Sequence, residues 1–186
     1  DSSTSRGLGD VYKRQVMCAL AVAGRVAIPI PSFKAIFGII MIAGIAFGPE
    51  SGFLVGAISA LASNFFYSQG PYTPWQMMAY GAGGMLAGFV FARGRLPRKP
   101  VIMGIFGFLA VTFFVGPLLD TCSVFLVMSR ITLKGAMAFY ISGFPVNLRQ
   151  AVATAIVLLV LGKPLLEKLD RIKTKYGILD DGGKEA

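Results

Sequence analysis

Residues 52–92 read GFLVGAISALASNFFYSQGPYTPWQMMAYGAGGMLAGFVFA, and this stretch decides the fold class. Two long apolar runs, at residues 52–66 and 77–92, enclose the polar and aromatic segment YSQGPYTPWQ at residues 67–76. Each run approaches the ~20 residues that an α-helix needs to cross a bilayer. The pattern therefore predicts two membrane helices joined by a polar loop.

The composition of the whole chain supports a membrane protein. It has 186 residues, of which 55% are hydrophobic and 15% charged, whereas soluble domains average about 25% charged residues. The mean hydropathy is +0.68. The length fits one compact helical bundle and leaves no room for a separate soluble domain.

The residue types present argue against an enzyme, a metal site and a cofactor. The chain has no histidine, which is the usual general base and a common metal ligand. Its two cysteines, Cys18 and Cys122, lie in apolar segments, where we expect small buried hydrophobic side chains. Asp120 is the only acidic residue between Glu50 and Glu167, so paired carboxylates are not expected.

The first fifteen residues, DSSTSRGLGDVYKRQ, do not match the sequence that follows. They are similar to the translation of a sequencing adaptor, so we exclude residues 1–15 from the fold, with a natural polar tail as the alternative. The first helix, predicted at residues 16–28, is then truncated. Residues 16–177 form the predicted membrane domain, and residues 178–186 form a polar, disordered tail.

The fold class predicted is an all-α membrane protein, a bundle of six transmembrane helices. The helices are expected at residues 16–28, 35–47, 52–66, 74–92, 101–128 and 145–161. The fifth helix would measure ~42 Å at ~1.5 Å per residue, longer than the ~30 Å core of a bilayer. We therefore expect it to tilt, kink or break, most naturally at Gly116 and Pro117.

Basic residues predict the orientation of the bundle. The net charge of +9 is concentrated after helices four and six, in Arg93, Arg95, Arg98 and Lys99 and in Lys163, Lys168, Arg171, Lys173 and Lys175. Both groups should face the cytoplasm, which places both termini inside. The loops after helices one, three and five, the last at about residues 129–143, are then outside. We interpret the positive charge as a signal of orientation in the membrane and expect no nucleic-acid partner.

Polar residues at membrane depth converge on the outer half of this predicted bundle. Such groups are costly in lipid unless they face a cavity or the bundle interior, and aromatic walls with a few polar groups are typical of small-molecule sites. We predict that substrate is bound by Arg25, Asn64, Gln69, Tyr72, Trp75, Gln76, Asp120 and Asn147. Two alternatives stay open: an interfacial aromatic belt, and an ion pair of Asp120 with Arg25 or Arg149.

Small residues recur at four-residue spacing, which places them on one face of a helix. They are Ala19, Ala23 and Ala27 in helix one, Gly48, Gly52, Gly56 and Ala60 before and along helix three, and Gly84 and Gly88 in helix four. Such faces let membrane helices approach closely. For helices three and four we expect packing inside the bundle.

Three segments resemble the substrate-specific (S) components of energy-coupling factor (ECF) vitamin transporters. They are ALAVAGRVA at residues 19–27, residues 47–81 around GPYTPWQM, and residues 144–177. The resemblance spans residues 16–177 and is most specific in GPYTPWQM.

The resemblance implies a bacterial, multi-pass plasma-membrane protein that binds a vitamin from outside. It also implies partners: a transmembrane coupling protein, which would pack against Ala19, Ala23 and Ala27, and two cytoplasmic ATPases. The loop suggests a cobalamin-type or riboflavin-type ligand, and Arg25 and Arg149 would suit a carboxylate or phosphate on it. The alternatives are a self-contained channel or structural membrane protein and, with less support, a small membrane enzyme.

Overall fold

The computed structural model describes residues 2–27, 33–92 and 94–175, and all regular structure in these ranges is helical. Six helices follow one another: α1 (Ser2–Val26), α2 (Ile36–Phe47), α3 (Pro49–Tyr67), α4 (Thr73–Ala87, extended by a π-helical turn at Gly88–Ala92), α5 (Pro100–Val127) and α6 (Leu133–Lys175). Prolines at the first or second position begin α3, α4 and α5, where the missing N–H costs no helical hydrogen bond.

Helix α2 is the centre of the bundle. It has 12 residues, or ~18 Å at ~1.5 Å per residue, and is buried along its length from Ile36 to Ala46. Helices α1, α3, α4 and α6 pack around it, and the ring of Phe37 contacts Tyr80 of α4 edge-on at 4.5 Å. An apolar helix enclosed by its neighbours forms a core without itself reaching across a bilayer.

Glycines bring α2, α3 and α4 into backbone contact. A Cβ atom on Gly44 or Gly52 would collide with the carbonyl oxygen of Gly84, and one on Gly88 would lie 2.6 Å from the backbone of Pro49. Only glycine permits this approach. The predicted packing role is confirmed for Gly52, Gly56, Gly84 and Gly88, whereas a Cβ on Gly48 would meet nothing within 4 Å.

Helix α5 has the predicted length and the predicted irregularity. It runs from Pro100 to Val127, and its middle, Val111–Val115, is a π-helical turn directly before Gly116 and Pro117. A proline has no N–H to donate to the preceding turn, so the helix accommodates it by a wider turn rather than by a break.

The predicted ends of the first and last helices are wrong. Helix α1 begins at Ser2 instead of residue 16 and ends at Val26, and α6 runs over Leu133–Lys175 instead of residues 145–161. Pro145 and Pro164 lie inside α6, because a long helix can lose single hydrogen bonds at proline without ending. Most of the predicted outer loop at residues 129–143 is therefore helical. The predicted tail at residues 178–186 lies outside the described residues.

Two of the described helices are long and apolar enough to cross a membrane by length and composition, Pro100–Val127 and Leu133–Ile172. The bundle has two distinct ends. At the basic end, the loop after α4 approaches the last turns of α6, where Arg98 lies 3.5 Å from Asp170. At the opposite end, called the polar end here, α1 and α3 finish, α4 begins, and the second half of α5 meets the first half of α6.

Candidate functional site

Asn64 is the centre of the polar end. Its side chain is only 1% exposed, and its Nδ2 group donates to Thr73 Oγ1 at 3.2 Å and to Gln76 Oε1 at 2.9 Å. Its Oδ1 atom accepts a hydrogen bond from Arg25 at 3.0 Å. A buried amide needs such partners. Asn64 therefore ties the end of α3 to the first turn of α4 with both of its N–H donors.

Arg25 brings the end of α1 to the same place. Its Nη1 atom donates to Ser63 Oγ as well as to Asn64, and its guanidinium lies 5.1 Å from the ring centre of Tyr67 and 5.6 Å from that of Tyr80. Tyr67 also donates to the Arg25 carbonyl oxygen at 3.0 Å. Both ring contacts have the geometry of cation–π interactions. The five residues Arg25, Ser63, Asn64, Thr73 and Gln76 are called the amide cluster below.

The loop between α3 and α4 is closed by its own hydrogen bonds. Ser68 has a positive φ of 142°, and its carbonyl accepts from the Tyr72 hydroxyl at 2.8 Å. Gln69, an exposed residue, accepts from Thr73 at 3.0 Å and donates to the carbonyl of Leu61 at 3.2 Å. Tyr72 and Gln69 thus hold the loop in shape and lie at the rim of the amide cluster.

Trp75 connects the amide cluster to helix α5. Its indole N–H donates to the carbonyl oxygen of Leu118 at 2.5 Å, and its ring lies 6.0 Å from that of Phe125. A tryptophan with a satisfied N–H and a half-buried ring presents a flat apolar surface next to polar groups. Two residues beyond Leu118, α5 carries Asp120.

Asp120 and Asn147 form a reciprocal pair between α5 and α6. Asn147 donates to the Asp120 carboxylate at 2.7 Å. The carboxylate lies directly over Gly143, and the Asn147 amide lies over Gly116, so that a Cβ on either glycine would collide with it. Asp120 lies four positions after Gly116, the glycine that contacts Asn147. Asn147 in turn lies four positions after Gly143, the glycine that contacts Asp120. The two helices can therefore approach closely while holding polar groups between them.

The structure brings the predicted site residues to one end of the bundle but not into one network. Arg25 and Gln76 each form a hydrogen bond with Asn64, and Gln69 is connected to Asn64 through Thr73. Asp120 and Asn147 form a separate pair, and Trp75 lies between the two groups. No ion pair between Asp120 and either Arg25 or Arg149 occurs among the described residues. Arg149 instead donates to the carbonyl of Pro145 on its own helix.

Sequence reasoning missed four contributors to the polar end: Ser63, Thr73, Gly116 and Gly143. Ser63 and Thr73 have small hydroxyl side chains, and such residues are common in apolar and loop segments, so nothing in the sequence marked them. The two glycines had a detectable signal, because each precedes a polar residue of a membrane helix by four positions. The exposed rings of Phe65 and Phe66, at 76% and 70% exposure, fit the alternative of an interfacial belt.

The alanine series of α1 lies on the surface. Ala19, Ala23 and Ala27 are exposed, while Met17 and Ala21 on the opposite face are buried against the core. An unhindered face of small residues permits close approach of another helix. Partner binding by these residues remains a prediction.

The described residues hold no group of three or more histidine, cysteine or acidic side chains that could bind a metal ion. The site consists of amides, hydroxyls, one carboxylate and aromatic rings. Chemically, such a set can bind a small molecule by hydrogen bonds and ring contacts. The fold and these residues together define a helical protein with a cluster of polar and aromatic groups at one end of an apolar bundle.

A family model, described as ECF-type riboflavin transporter, S component, matches residues 14–167. The chain therefore belongs to the family of S components of ECF-type riboflavin transporters. It is a membrane-embedded transport component for vitamin uptake and not an enzyme. No curated protein and no solved structure matches the chain closely enough to add a relative.

Proposed function

We propose that this protein binds riboflavin at the polar end of the bundle and passes it across a bacterial plasma membrane. The observation that carries the proposal is the combination of the family match over residues 14–167 with a single polar end built from amides and aromatic rings. In this arrangement the polar end faces outside, while the basic end and both termini face the cytoplasm.

Riboflavin is an uncharged molecule with a flat tricyclic ring, one polar ring edge and a chain of hydroxyl groups. A site for it needs aromatic surface and uncharged or singly charged hydrogen-bonding groups. Trp75 offers the surface, and the Asp120–Asn147 pair offers acceptors, since Asn147 is the only described donor to the Asp120 carboxylate. We therefore assign ring contact to Trp75 and hydrogen bonding to Asp120 and Asn147.

Transport needs energy that this chain does not generate, because its sequence carries no phosphate-binding loop. We infer that a transmembrane coupling protein and two cytoplasmic ATPases supply it, as the family membership suggests. Docking of the coupling protein on the exposed face of Ala19, Ala23 and Ala27 fits their four-residue spacing and small size.

Riboflavin binding can be measured directly on the purified full chain in detergent. Flavin fluorescence should be quenched as protein is added and should reach an end point at one flavin per chain. Trp75→Ala should weaken this binding, because it removes the ring surface, whereas Arg149→Ala should bind as the parent protein does. If riboflavin leaves no saturable signal while cobalamin binds, the ligand assignment is wrong.

A further inference from the structure

Asn64 has little capacity left for a ligand. Its two amide N–H donors are used by Thr73 and Gln76, and its oxygen accepts from Arg25. An amide has two such donors and one carbonyl oxygen. A ligand that took a donor would have to break a hydrogen bond between α3 and α4. The amide cluster therefore stabilises the site by holding α3 against α4, and its amide does not contact the ligand.

The protein also holds the Arg25 guanidinium through its Nη1 atom and two ring contacts. Its Nη1 atom reaches Ser63 and Asn64, and the rings of Tyr67 and Tyr80 lie 5.1 and 5.6 Å from its guanidinium. Tyr80 is itself only 6% exposed. A guanidinium with these neighbours holds a fixed orientation, because its planar fork matches both the hydrogen bonds and the ring contacts.

The contacts form a chain from helix α1 to the proposed ligand groups. Arg25 fixes Asn64, and Asn64 fixes the first turn of α4 through Gln76. That turn carries Trp75, whose indole N–H donates to Leu118 of α5, two residues before Asp120. The same helix α1 carries the exposed alanine face.

We propose that Arg25 is a positioning residue that links α1 to the flavin site by holding Asn64, and that Arg25 does not itself touch the flavin. This inference rests on the proposed function and differs from the prediction that Arg25 binds substrate. A partner that shifts α1 would thereby change the position of Trp75. The alanine face and the ligand site are then two ends of one hydrogen-bonded path.

Trp75 supplies a readout that needs no ligand, because it is the only tryptophan of the chain. In Arg25→Ala, without flavin, Trp75 emission should shift to the red and become more accessible to acrylamide. Arg149→Ala is the matched control, since it removes the same charge at the same end, and among the described residues its side chain forms a hydrogen bond only within α6. Its emission should not change.

The flavin titration on the same variants gives the second readout. The dissociation constant should rise about tenfold in Arg25→Ala, as expected for loss of a hydrogen bond to a charged group. The double variant Arg25→Ala/Asn64→Ala should bind no more weakly than Asn64→Ala alone, because both changes break one path. Additive losses with unchanged Trp75 emission would show direct ligand contact and overturn the proposal.

The two proposals fail in distinguishable ways. A parent protein that binds no riboflavin contradicts the proposed function, while the Trp75 emission of Arg25→Ala still tests the positioning role. A parent protein that binds riboflavin, together with an Arg25→Ala variant unchanged in both emission and affinity, contradicts the positioning role alone.

Discussion

At the residue scale, the buried amide of Asn64 should matter more for stability than any exposed amide of the same loop. Asn64→Ala removes the shared partner of Thr73, which is buried, and of Gln76, which is half-buried. We expect a loss of about 1–3 kcal/mol in the free energy of unfolding. Thermal unfolding of the purified protein in detergent, without flavin, measures the loss.

Gln69→Ala is the matched control for this prediction. It also removes an amide with two hydrogen bonds, but from an exposed position, where substitutions usually change stability by less than about 0.5 kcal/mol. Equal effects of the two variants would contradict a special role for Asn64 as the brace of the polar end.

Gly143 offers a separate residue-scale test of the Asp120–Asn147 pair. In Gly143→Ala the new methyl group would occupy the place of the Asp120 carboxyl group, so this side chain must move and riboflavin affinity should fall about tenfold or more. Flavin titration measures it. Gly162→Ala on the same helix is the control, because its methyl group would meet only the flexible end of Met103 at 2.9 Å. Unchanged affinity in Gly143→Ala would remove Asp120 from the site.

At the element scale, the tight crossing of α3 and α4 depends on Gly84. A methyl group there would meet the carbonyl oxygen of Gly52 and, at 2.7 Å, the side chain of Ile40. Such overpacking costs about 1–3 kcal/mol or more, so Gly84→Ala should lower the unfolding temperature clearly. Gly83→Ala, one position earlier, would contact only a methyl group of Val115 at 2.9 Å and should be milder. Similar unfolding temperatures for the two variants would contradict the predicted difference.

The alanine face of α1 makes an element-scale prediction about uptake. Ala23→Trp places a large side chain on an exposed face, so it should block close docking of a coupling protein while leaving riboflavin binding intact. Cellular riboflavin uptake and binding by the purified protein are compared. Val101→Trp, on the exposed side of α5, should reduce neither. Loss of binding in Ala23→Trp would contradict the assignment of this face to a partner.

The sequence predicted the middle of the bundle better than its first and last helices, for physical reasons. Helix α2 ends and α3 begins at Gly48–Pro49, and α4 and α5 also begin with a proline in their first two positions, where backbone chemistry marks a boundary. Pro145 gave a false boundary, because a proline inside a long membrane helix removes one hydrogen bond without ending the helix. A sequence pattern alone does not distinguish a proline that begins a helix from one that lies inside a long membrane helix.

The candidate site was predictable as a location and less so as a network. Asn64, Asp120 and Asn147 could be predicted as site residues because polar groups in an apolar bundle are costly unless they face a cavity or the interior. Which of them pair was decided by how α5 crosses α6 and by where α1 ends, and these are tertiary contacts that no local pattern contains. The pairing of Asp120 with Asn147 rather than with an arginine is the result.

At the scale of the whole molecule, three surfaces have separate chemistry. The polar end gathers amides and aromatic rings, the basic end gathers lysine and arginine, and the side of α1 presents alanine. In the proposed orientation this separation lets one small bundle meet a vitamin outside, anionic lipid headgroups at the cytoplasmic surface and a coupling protein within the membrane. The amide cluster joins the first of these surfaces to the third.

The orientation of these surfaces gives the last prediction. Gln69 at the polar end and Arg95 at the basic end are both exposed, so a single cysteine at either position reports which side of the membrane it faces. Cys18 and Cys122 are buried and are replaced by alanine to remove background labelling. With a membrane-impermeant maleimide, Gln69→Cys should be labelled in intact cells and Arg95→Cys only after permeabilisation, because basic loops stay in the cytoplasm. The reverse pattern would place the polar end inside, and a protein in that orientation could not collect the vitamin from outside.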